Sequence, residues 1–155
     1  MGGRSNYYRR LLSGLCRNPR KLPALWRLQR GGEQRRAKAW LREDGAAPPP
    51  ITLAVRQTYR CNLRCRQCGQ WGEQGVLLGK EHELAEAEIG VDEIKRFLEQ
   101  VAHFRPYIYL TGGEPLLRGD VAELIRHAAR LGLLSGMSTN GTLLAERARE
   151  IVGSG

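Results

Sequence analysis

The chain has 155 residues, of which 26% are charged and 41% are apolar, and its formal net charge is +9. This composition is that of a folded, water-soluble protein and argues against a disordered chain. No apolar run approaches the roughly 20 residues that a membrane-spanning helix needs, and no secretory signal is visible.

The positive charge belongs to a leader at the start of the chain. Residues 1–45 hold twelve Lys/Arg and three Asp/Glu, whereas residues 46–155 hold thirteen of each. Leu22, Leu25, Trp26 and Leu28 lie among basic residues in a short amphipathic pattern. We predict a basic, partly helical leader or linker over residues 1–50, ended by a run of prolines. We favour a solvated helix packed on the neighbouring domain over one bound through residues 1–45 to an anionic membrane surface or a nucleic-acid backbone, and of these two partners nucleic acid is the less expected.

Three short apolar runs follow the prolines and predict strands. They are ITLAV at 51–55, YIYL at 107–110 and LLSGMS at 133–138. Near-continuous apolar runs of this length are typical of strands that are buried on both faces.

Helical patterns lie between and after these runs. Two of them follow the i, i+3, i+4, i+7 spacing of one buried helix face: Ile94, Phe97, Leu98 and Val101, and then Val121, Leu124, Ile125 and Ala128. Asp120 is the predicted N-cap of the second helix, and Gly132 is its predicted end. A third helix begins near Leu143 and stops at Gly153. The alternation predicts an α/β domain over residues 51–155 with a parallel sheet and right-handed crossovers.

Each predicted strand is followed by residues that are suited to binding or chemistry. Cys61, Cys65 and Cys68 follow the first strand, Thr111-Gly112-Gly113-Glu114-Pro115 follows the second, and Ser138-Thr139-Asn140-Gly141 follows the third. Ligands and catalytic groups collect at the carboxyl ends of parallel strands, so we expect these segments to share one site.

The cysteines indicate a metal centre. A lone Cys16 and a tight trio do not resemble a disulfide framework, so we expect a reducing, cytoplasmic compartment. Three thiolates suit a 4Fe–4S cluster that keeps one iron open for a ligand. A zinc site completed by an unidentified fourth residue and three incidental thiols are the alternatives.

The glycine pair has two readings. Gly112 and Gly113 let the main chain approach a ligand closely, and Glu114 offers an acceptor to an ammonium group. The alternative is an ordinary turn between a strand and a helix, with an acidic residue at the helix start.

CxxxCxxC and GGE, in this order after successive strands, together resemble the signature of the radical S-adenosylmethionine (SAM) enzyme superfamily, and STNGTLL at 138–144 also looks like this family. The resemblance covers about residues 51–153. It implies the N-terminal three βα units of a partial (β/α)6 TIM-like barrel. Six such units need roughly 190 residues, so we expect an incomplete core domain from a gene fragment, a split protein or a decayed copy.

The resemblance also implies a mechanism. Cys61, Cys65 and Cys68 hold a 4Fe–4S cluster whose open iron binds the methionine part of SAM, and the segment Gly112, Gly113 and Glu114 binds its amino group. Ser138, Thr139 or Asn140 reaches the methionine end. A reductase or ferredoxin-type protein supplies an electron, SAM is cleaved to a 5′-deoxyadenosyl radical, and the radical abstracts hydrogen from an unidentified substrate. The resemblance assigns no further catalytic residue to this chain, and we expect little turnover from it alone.

The sequence departs from the family at Gln67. The residue before the third cysteine is usually aromatic or bulky and lies near the adenine, so Trp71 is a candidate for the missing ring. A zinc-binding structural or interaction module and an inactive, truncated homologue remain the alternatives to an active enzyme.

Overall fold

The computed structural model describes residues 44–155, together with Pro23 and Trp26. The helix that we predict around Leu22–Leu28 lies mostly outside the described residues and stays a prediction. The chain divides into two units, Met1–Pro49 and Pro50–Gly155, and the following description concerns the second. In the part of the chain that the structure describes, no helix has the length and apolar character needed to cross a membrane.

Strands and helices alternate along the second unit. The strands are β1 (Thr52–Thr58), β2 (Tyr107–Gly112) and β3 (Leu134–Met137). The helices are α1 (Glu81–Glu86), α2 (Val91–Val101), α3 (Val121–Arg130) and α4 (Leu144–Val152). Short 3-10 turns follow α2 at Ala102–Phe104 and β2 at Pro115–Leu117. The predicted alternation is confirmed, whereas α1 was not predicted.

Within residues 44–155, the strands form one parallel sheet in the order β1-β2-β3. Val55 lies opposite Leu110, and Leu110 lies opposite Met137. The register of β1 shifts between Arg56 and Thr58, next to the point where the cysteine segment begins. Because all three strands run the same way, the segments after β1, β2 and β3 emerge at one edge of the sheet. A mixed α/β fold with a parallel sheet is confirmed.

The hydrophobic core lies between one face of the sheet and helices α2 and α3. Its buried members are Val55, Ile94, Leu98, Ile108, Leu110, Leu116, Val121, Leu124, Ile125, Ala128 and Leu133. Full burial of one such side chain contributes about 1.5–3 kcal/mol to stability. Most of these residues lie on the faces of α2 and α3 that the helical spacing predicts, so those two faces supply most of the burial energy.

The opposite face of the sheet corrects one prediction. Thr52, Ala54 and Arg56 alternate with the core residues of β1 and are exposed, and Tyr107 and Tyr109 of β2 are only partly buried. The strands are therefore buried on one face and not on both. The apolar runs predict burial on both faces, but alanine, threonine and tyrosine are compatible with a solvent-exposed face as well as with a buried one.

The ends of α3 confirm one predicted cap and correct the other. Gly132 has a φ of 70°, the left-handed conformation that ends a helix and that glycine adopts without a steric cost. Asp120 occupies the N-cap position, but its side chain makes no capping hydrogen bond. Its two carboxylate oxygens instead accept hydrogen bonds from Nε and Nη2 of Arg118, each at 2.7 Å. The carboxylate therefore pairs with Arg118 and does not cap the helix.

Candidate functional site

The three cysteines of the motif lie on a tight loop that leaves the carboxyl end of β1. Cys61 and Cys68 are partly buried, Cys65 is exposed, and all three are free thiols. The main-chain N–H of Cys68 donates to the carbonyl of Cys65 at 2.8 Å, and the N–H of Gly72 donates to the carbonyl of Cys68 at 2.8 Å. These bonds fold the second half of the motif into consecutive turns.

The chemistry of the cysteine segment suits a thiolate-bound metal, although the ligand set is not assembled in the structure. Across residues 44–155, no three His, Cys, Asp or Glu side chains are grouped closely enough to hold a metal ion. Hydrogen bonds from the main-chain N–H of Trp71 and then of Gln70 hold the pKa of the Cys68 thiol below its ordinary value. A lowered pKa favours the thiolate, which is the form that binds metals. The assignment of Cys61, Cys65 and Cys68 as metal ligands stays a prediction.

Trp71 braces the cysteine loop from inside. Its ring is only 3% exposed, and its Nε1 donates a hydrogen bond of 2.7 Å to the carbonyl of Tyr59. The guanidinium carbon of Arg64 lies 4.7 Å from the centre of the ring, and Nη1 of Arg64 donates to the carbonyl of Cys61 at 2.9 Å. In this structure the indole is held by packing and by the cation–π contact, and the prediction that Trp71 supplies a ring to adenine stays a prediction.

An open cavity of about 650 Å³ lies beside the third cysteine. It is lined by Arg66, Gln67, Cys68, Gly69, Glu73 and Gln74. Gln67 is exposed. A polar amide therefore occupies the position before the third cysteine and lines the cavity beside Cys68.

The glycine pair after β2 is explained by the neighbouring strand. A Cβ on Gly112 would lie 2.3 Å from the carbonyl oxygen of Thr58, and one on Gly113 would lie 2.3 Å from that of Arg60. The N–H of Gly113 donates to Thr58 at 3.1 Å, and the N–H of Glu114 donates to Arg60 at 2.8 Å. Both glycines are thus needed where the chain leaving β2 crosses the chain that leads into the cysteine loop. Their contact with a ligand stays a prediction.

Glu114 is buried, and its carboxylate faces the protein. The residue has 0% exposure. One oxygen accepts hydrogen bonds from the N–H of Leu116 at 2.9 Å and from the hydroxyl of Thr139 at 2.7 Å, and the other accepts from the N–H of Asn140 at 2.6 Å. The side chain joins the end of β2 to the loop after β3. Its predicted role as an acceptor for a ligand's ammonium group stays a prediction.

The residues predicted after β3 divide between two environments. The hydroxyl of Ser138 is hydrogen-bonded to the phenol of Tyr109, on the face of the sheet away from the core. Thr139 and Asn140 bind Glu114, and the Nδ2 of Asn140 also donates to the Oδ1 of Asn62 in the cysteine segment at 2.9 Å. The structure therefore brings the segments after β1, β2 and β3 into direct contact, as predicted from the strand ends.

Glu88 supports the start of the cysteine loop and was not predicted from the sequence. Its carboxylate accepts hydrogen bonds from the hydroxyl of Thr58, the N–H of Tyr59 at 3.2 Å and the Nε of Arg60 at 3.2 Å. Burial raises the pKa of Glu88, but the hydrogen bond from Thr58 and the charge of Arg60 outweigh burial and bring the pKa below its ordinary value. Nothing in the local pattern around Glu88 marks this role, because its partners lie about 30 residues earlier in the chain.

Arg118 is a buried ion-pair residue under the same loop. Its Nη1 donates to the carbonyls of Gln57 and of Ile89, and its other nitrogens bind Asp120. The hydrogen bonds that Arg118 donates to Asp120 raise the pKa of Arg118 above its ordinary value, against the opposing effect of burial. The spacing of Arg118 and Asp120 is a signal for this pairing, although the sequence predicts a helix cap at Asp120.

Comparisons with known proteins agree with the resemblance in the motifs. The sequence model of the Radical SAM superfamily matches residues 55–155, which is more than half of the chain. An AdoMet-dependent heme synthase from Methanosarcina barkeri is 38% identical over 96 residues, covering 61% of this chain and 25% of that protein. A PqqA peptide cyclase from Rhodopseudomonas palustris is 34% identical over 97 residues, covering 62% and 24% respectively.

A further heme synthase, from Nitratidesulfovibrio vulgaris, is 36% identical over 115 residues, covering 73% of this chain and 29% of that protein. The chain therefore spans about a quarter of the length of the curated relatives that it matches. The matched region contains all the segments that meet at the carboxyl edge of the sheet.

Proposed function

The chain belongs to the radical SAM superfamily, and from this premise we propose that residues 51–155 are part of a radical SAM enzyme. In this proposal Cys61, Cys65 and Cys68 bind a 4Fe–4S cluster, and the cluster with the adjoining strand ends binds S-adenosylmethionine. When bound, the cluster would supply one electron to the sulfonium of SAM, whose S–C5′ bond would break to give methionine and a 5′-deoxyadenosyl radical, and the radical would take a hydrogen atom from an unidentified substrate.

One observation carries the proposal. CxxxCxxC leaves the end of the first parallel strand, and the segments after the second and third strands contact that loop directly. A cysteine motif on a surface unconnected with the sheet would serve a structural zinc site equally well. The meeting of three strand ends is the arrangement in which α/β folds bind ligands.

The chain's own residues prepare the loop for soft metal ions. Thiolates are ligands that iron–sulfur clusters favour, and the main-chain N–H of Trp71 stabilises the thiolate of Cys68. Arg64 ties the carbonyl of Cys61 to the buried ring of Trp71. We propose that this brace keeps the loop in place while the exposed Cys65 completes the ligand set.

Anaerobic reconstitution tests the cluster directly. We expect about four irons and four sulfides per chain, as a 4Fe–4S cluster requires, with visible absorption that disappears on exposure to air. Alanine at Cys61, Cys65 or Cys68 should abolish loading. Cys16→Ala is the matched control, because Cys16 lies outside the motif, and it should load like the parent. Loading that survives the loss of a motif cysteine but not of Cys16 contradicts the proposal.

The same samples separate the zinc alternative. Zinc bound without inorganic sulfide would show a structural site and not a cluster. A loaded chain is then mixed with SAM and a chemical reductant, and 5′-deoxyadenosine is measured. Its formation supports an active enzyme, whereas a stable cluster without any 5′-deoxyadenosine supports an inactive homologue.

We assign no substrate from the relatives. A heme synthase and a peptide cyclase are similar to this chain to nearly the same degree, at 38% and 34% identity, and their names describe different reactions. An electron donor of the reductase or ferredoxin type is a further part of the proposal, since cleavage of SAM consumes one electron.

The basic leader is the basis of a separate proposal about location. Residues 1–45 carry twelve basic and three acidic residues, which suits attraction to an anionic membrane surface from the cytoplasm. Co-sedimentation of the chain with vesicles that contain anionic lipid tests this proposal. Binding that weakens as salt is raised supports it, and equal binding to neutral vesicles contradicts it.

A further inference from the structure

A closed ring of side-chain hydrogen bonds joins the cysteine segment to the loop after β3. The Nδ2 of Asn62 donates to the Oγ1 of Thr142 at 2.8 Å, and that hydroxyl donates to the Oδ1 of Asn140 at 2.7 Å. The Nδ2 of Asn140 completes the ring by donating to the Oδ1 of Asn62 at 2.9 Å. Each member gives one hydrogen bond and receives one within the ring, although Asn62 and Thr142 are 80 residues apart in the sequence.

The ring rests on the buried carboxylate described above. The main-chain N–H of Asn140 donates to Glu114, and the N–H of Thr142 donates to the Oδ1 of Asn140. An isolated, exposed amide pair contributes little, because water competes for each hydrogen bond and two free side chains must be ordered. Here the main chain of Asn140 is already fixed by a buried acceptor and that of Thr142 is tied to the side chain of Asn140, so less conformational entropy is lost when the ring closes.

We propose that Asn62 and Asn140 are positioning residues that fix the first turn of the cysteine motif against the loop after β3. Asn62 directly follows Cys61, so the ring sets where the chain carrying that thiol leaves β1. The ring itself is a property of the metal-free chain. Its consequence for metal loading rests on the proposed function.

If the ring joins the two segments, losing a member on one side should loosen the segment on the other side, and hydrogen exchange in the metal-free chain tests this. Asn62→Ala should speed exchange in a peptide over residues 139–144, and Asn140→Ala should speed exchange at the amide of Cys68, which is hydrogen-bonded within the motif. Loss of one net hydrogen bond of about 1 kcal/mol corresponds to about fivefold faster exchange. Gln74→Ala is the control, because it removes an exposed amide shortly after the cysteine motif. It should leave exchange unchanged both in the 139–144 peptide and at the amide of Cys68.

Aspartate variants test the ring without removing its acceptors. In Asn62→Asp, the hydroxyl of Thr142 can turn to donate to the new carboxylate while Asn140 keeps its donor. In Asn140→Asp, the amide of Asn62 can turn to donate to the carboxylate while accepting from Thr142. Each single variant therefore keeps a closed network, with exchange within about twofold of the parent, whereas the double variant places two carboxylates together and should exchange at least about fivefold faster.

Thiol reactivity supplies a second measurement. Asn140→Ala should raise the rate at which iodoacetamide alkylates the partly buried Cys61 by about fivefold, since the lost contact is of the order of one hydrogen bond. The rate at the exposed Cys65 should change little.

Single aspartate variants that behave like the alanine variants, or a double variant whose effect is the sum of small single effects, would overturn the proposal. Unchanged exchange and unchanged alkylation in both alanine variants would also overturn it. These results are obtained without metal, so they are distinguishable from a failure of cluster reconstitution. A chain with an intact ring that binds no iron contradicts the proposed function and leaves the ring standing.

Discussion

Replacing Glu114 with glutamine tests whether one buried carboxylate holds the carboxyl edge of the sheet together. The change keeps the shape of the side chain and replaces one acceptor oxygen with an NH2 group. In either orientation of the amide, that group faces a donor: the N–H of Asn140 on one side, or the N–H of Leu116 and the hydroxyl of Thr139 on the other. The variant therefore loses at least one hydrogen bond to a charged acceptor and leaves a buried N–H without a partner.

The magnitude follows from these two losses. A hydrogen bond to a charged group contributes about 1.5–3 kcal/mol, and a buried donor without an acceptor costs about 1–3 kcal/mol. Because a neutral amide is easier to bury than a carboxylate, part of this cost is offset, and we expect a net loss of about 2–4 kcal/mol in the free energy of unfolding. With a urea dependence of about 2 kcal/mol per M, the unfolding midpoint falls by about 1–2 M.

Urea unfolding followed by circular dichroism measures this change. Glu146→Gln is the matched control, because Glu146 is exposed on α4, and we expect it to stay within about 0.5 kcal/mol of the parent. If Glu114→Gln unfolds at the same urea concentration as the control, then the carboxylate does not hold these loops, and our account of the site is refuted.

Three further predictions concern the support of the cysteine loop. Arg118→Lys loses the forked contact with a partly buried carboxylate and the bonds to two carbonyls, so we expect a loss of about 2–4 kcal/mol in urea unfolding, whereas Arg126→Lys on the surface should cost less than about 0.5 kcal/mol. Gly113→Ala puts a Cβ 2.3 Å from a main-chain oxygen and should lower the stability by about 1–3 kcal/mol or more, while Gly119→Ala meets nothing within 4 Å and should be nearly neutral in the same thermal melt. The pKa of Glu88 is lowered in the fold, so its stabilising contribution is present above its ordinary pKa of about 4.3 and is lost as the pH falls through the folded value. Glu88→Gln should therefore flatten the fall in urea midpoint between about pH 6 and pH 3, and a profile as steep as the parent's would contradict this assignment.

The elements with a periodic apolar face could be predicted from the sequence. In α2 and α3 the residues that recur at i, i+3, i+4 and i+7 are mostly those that the structure buries, because helix spacing decides locally which side chains share a face. Phe97 is the exception, at 38% exposure, since it lies at the margin of that face. Helix α1 could not be found in this way because it buries no residue and so carries no periodic signal.

The sequence predicts where the functional segments meet, but it does not predict which groups their side chains contact. The order of strands and polar segments is enough to bring the cysteine loop, Gly112-Gly113-Glu114 and Thr139-Asn140 together. Which groups face a ligand depends on partners far away in the sequence. Glu114 turns to donors about 25 residues later, and Trp71 turns to a carbonyl 12 residues earlier. No local pattern carries such information.

The hydrogen-bonded ring also bears on the order in which the chain folds. Contacts between residues 62 and 142 close a long loop of chain, and such closure is entropically costly until the intervening segments are already compact. We therefore expect the pairing of β1 with β2 and the packing of α2 on α3 to precede the ring. The cysteine motif, although it is encoded early in the chain, then becomes ordered late in folding, after the third strand has joined the sheet.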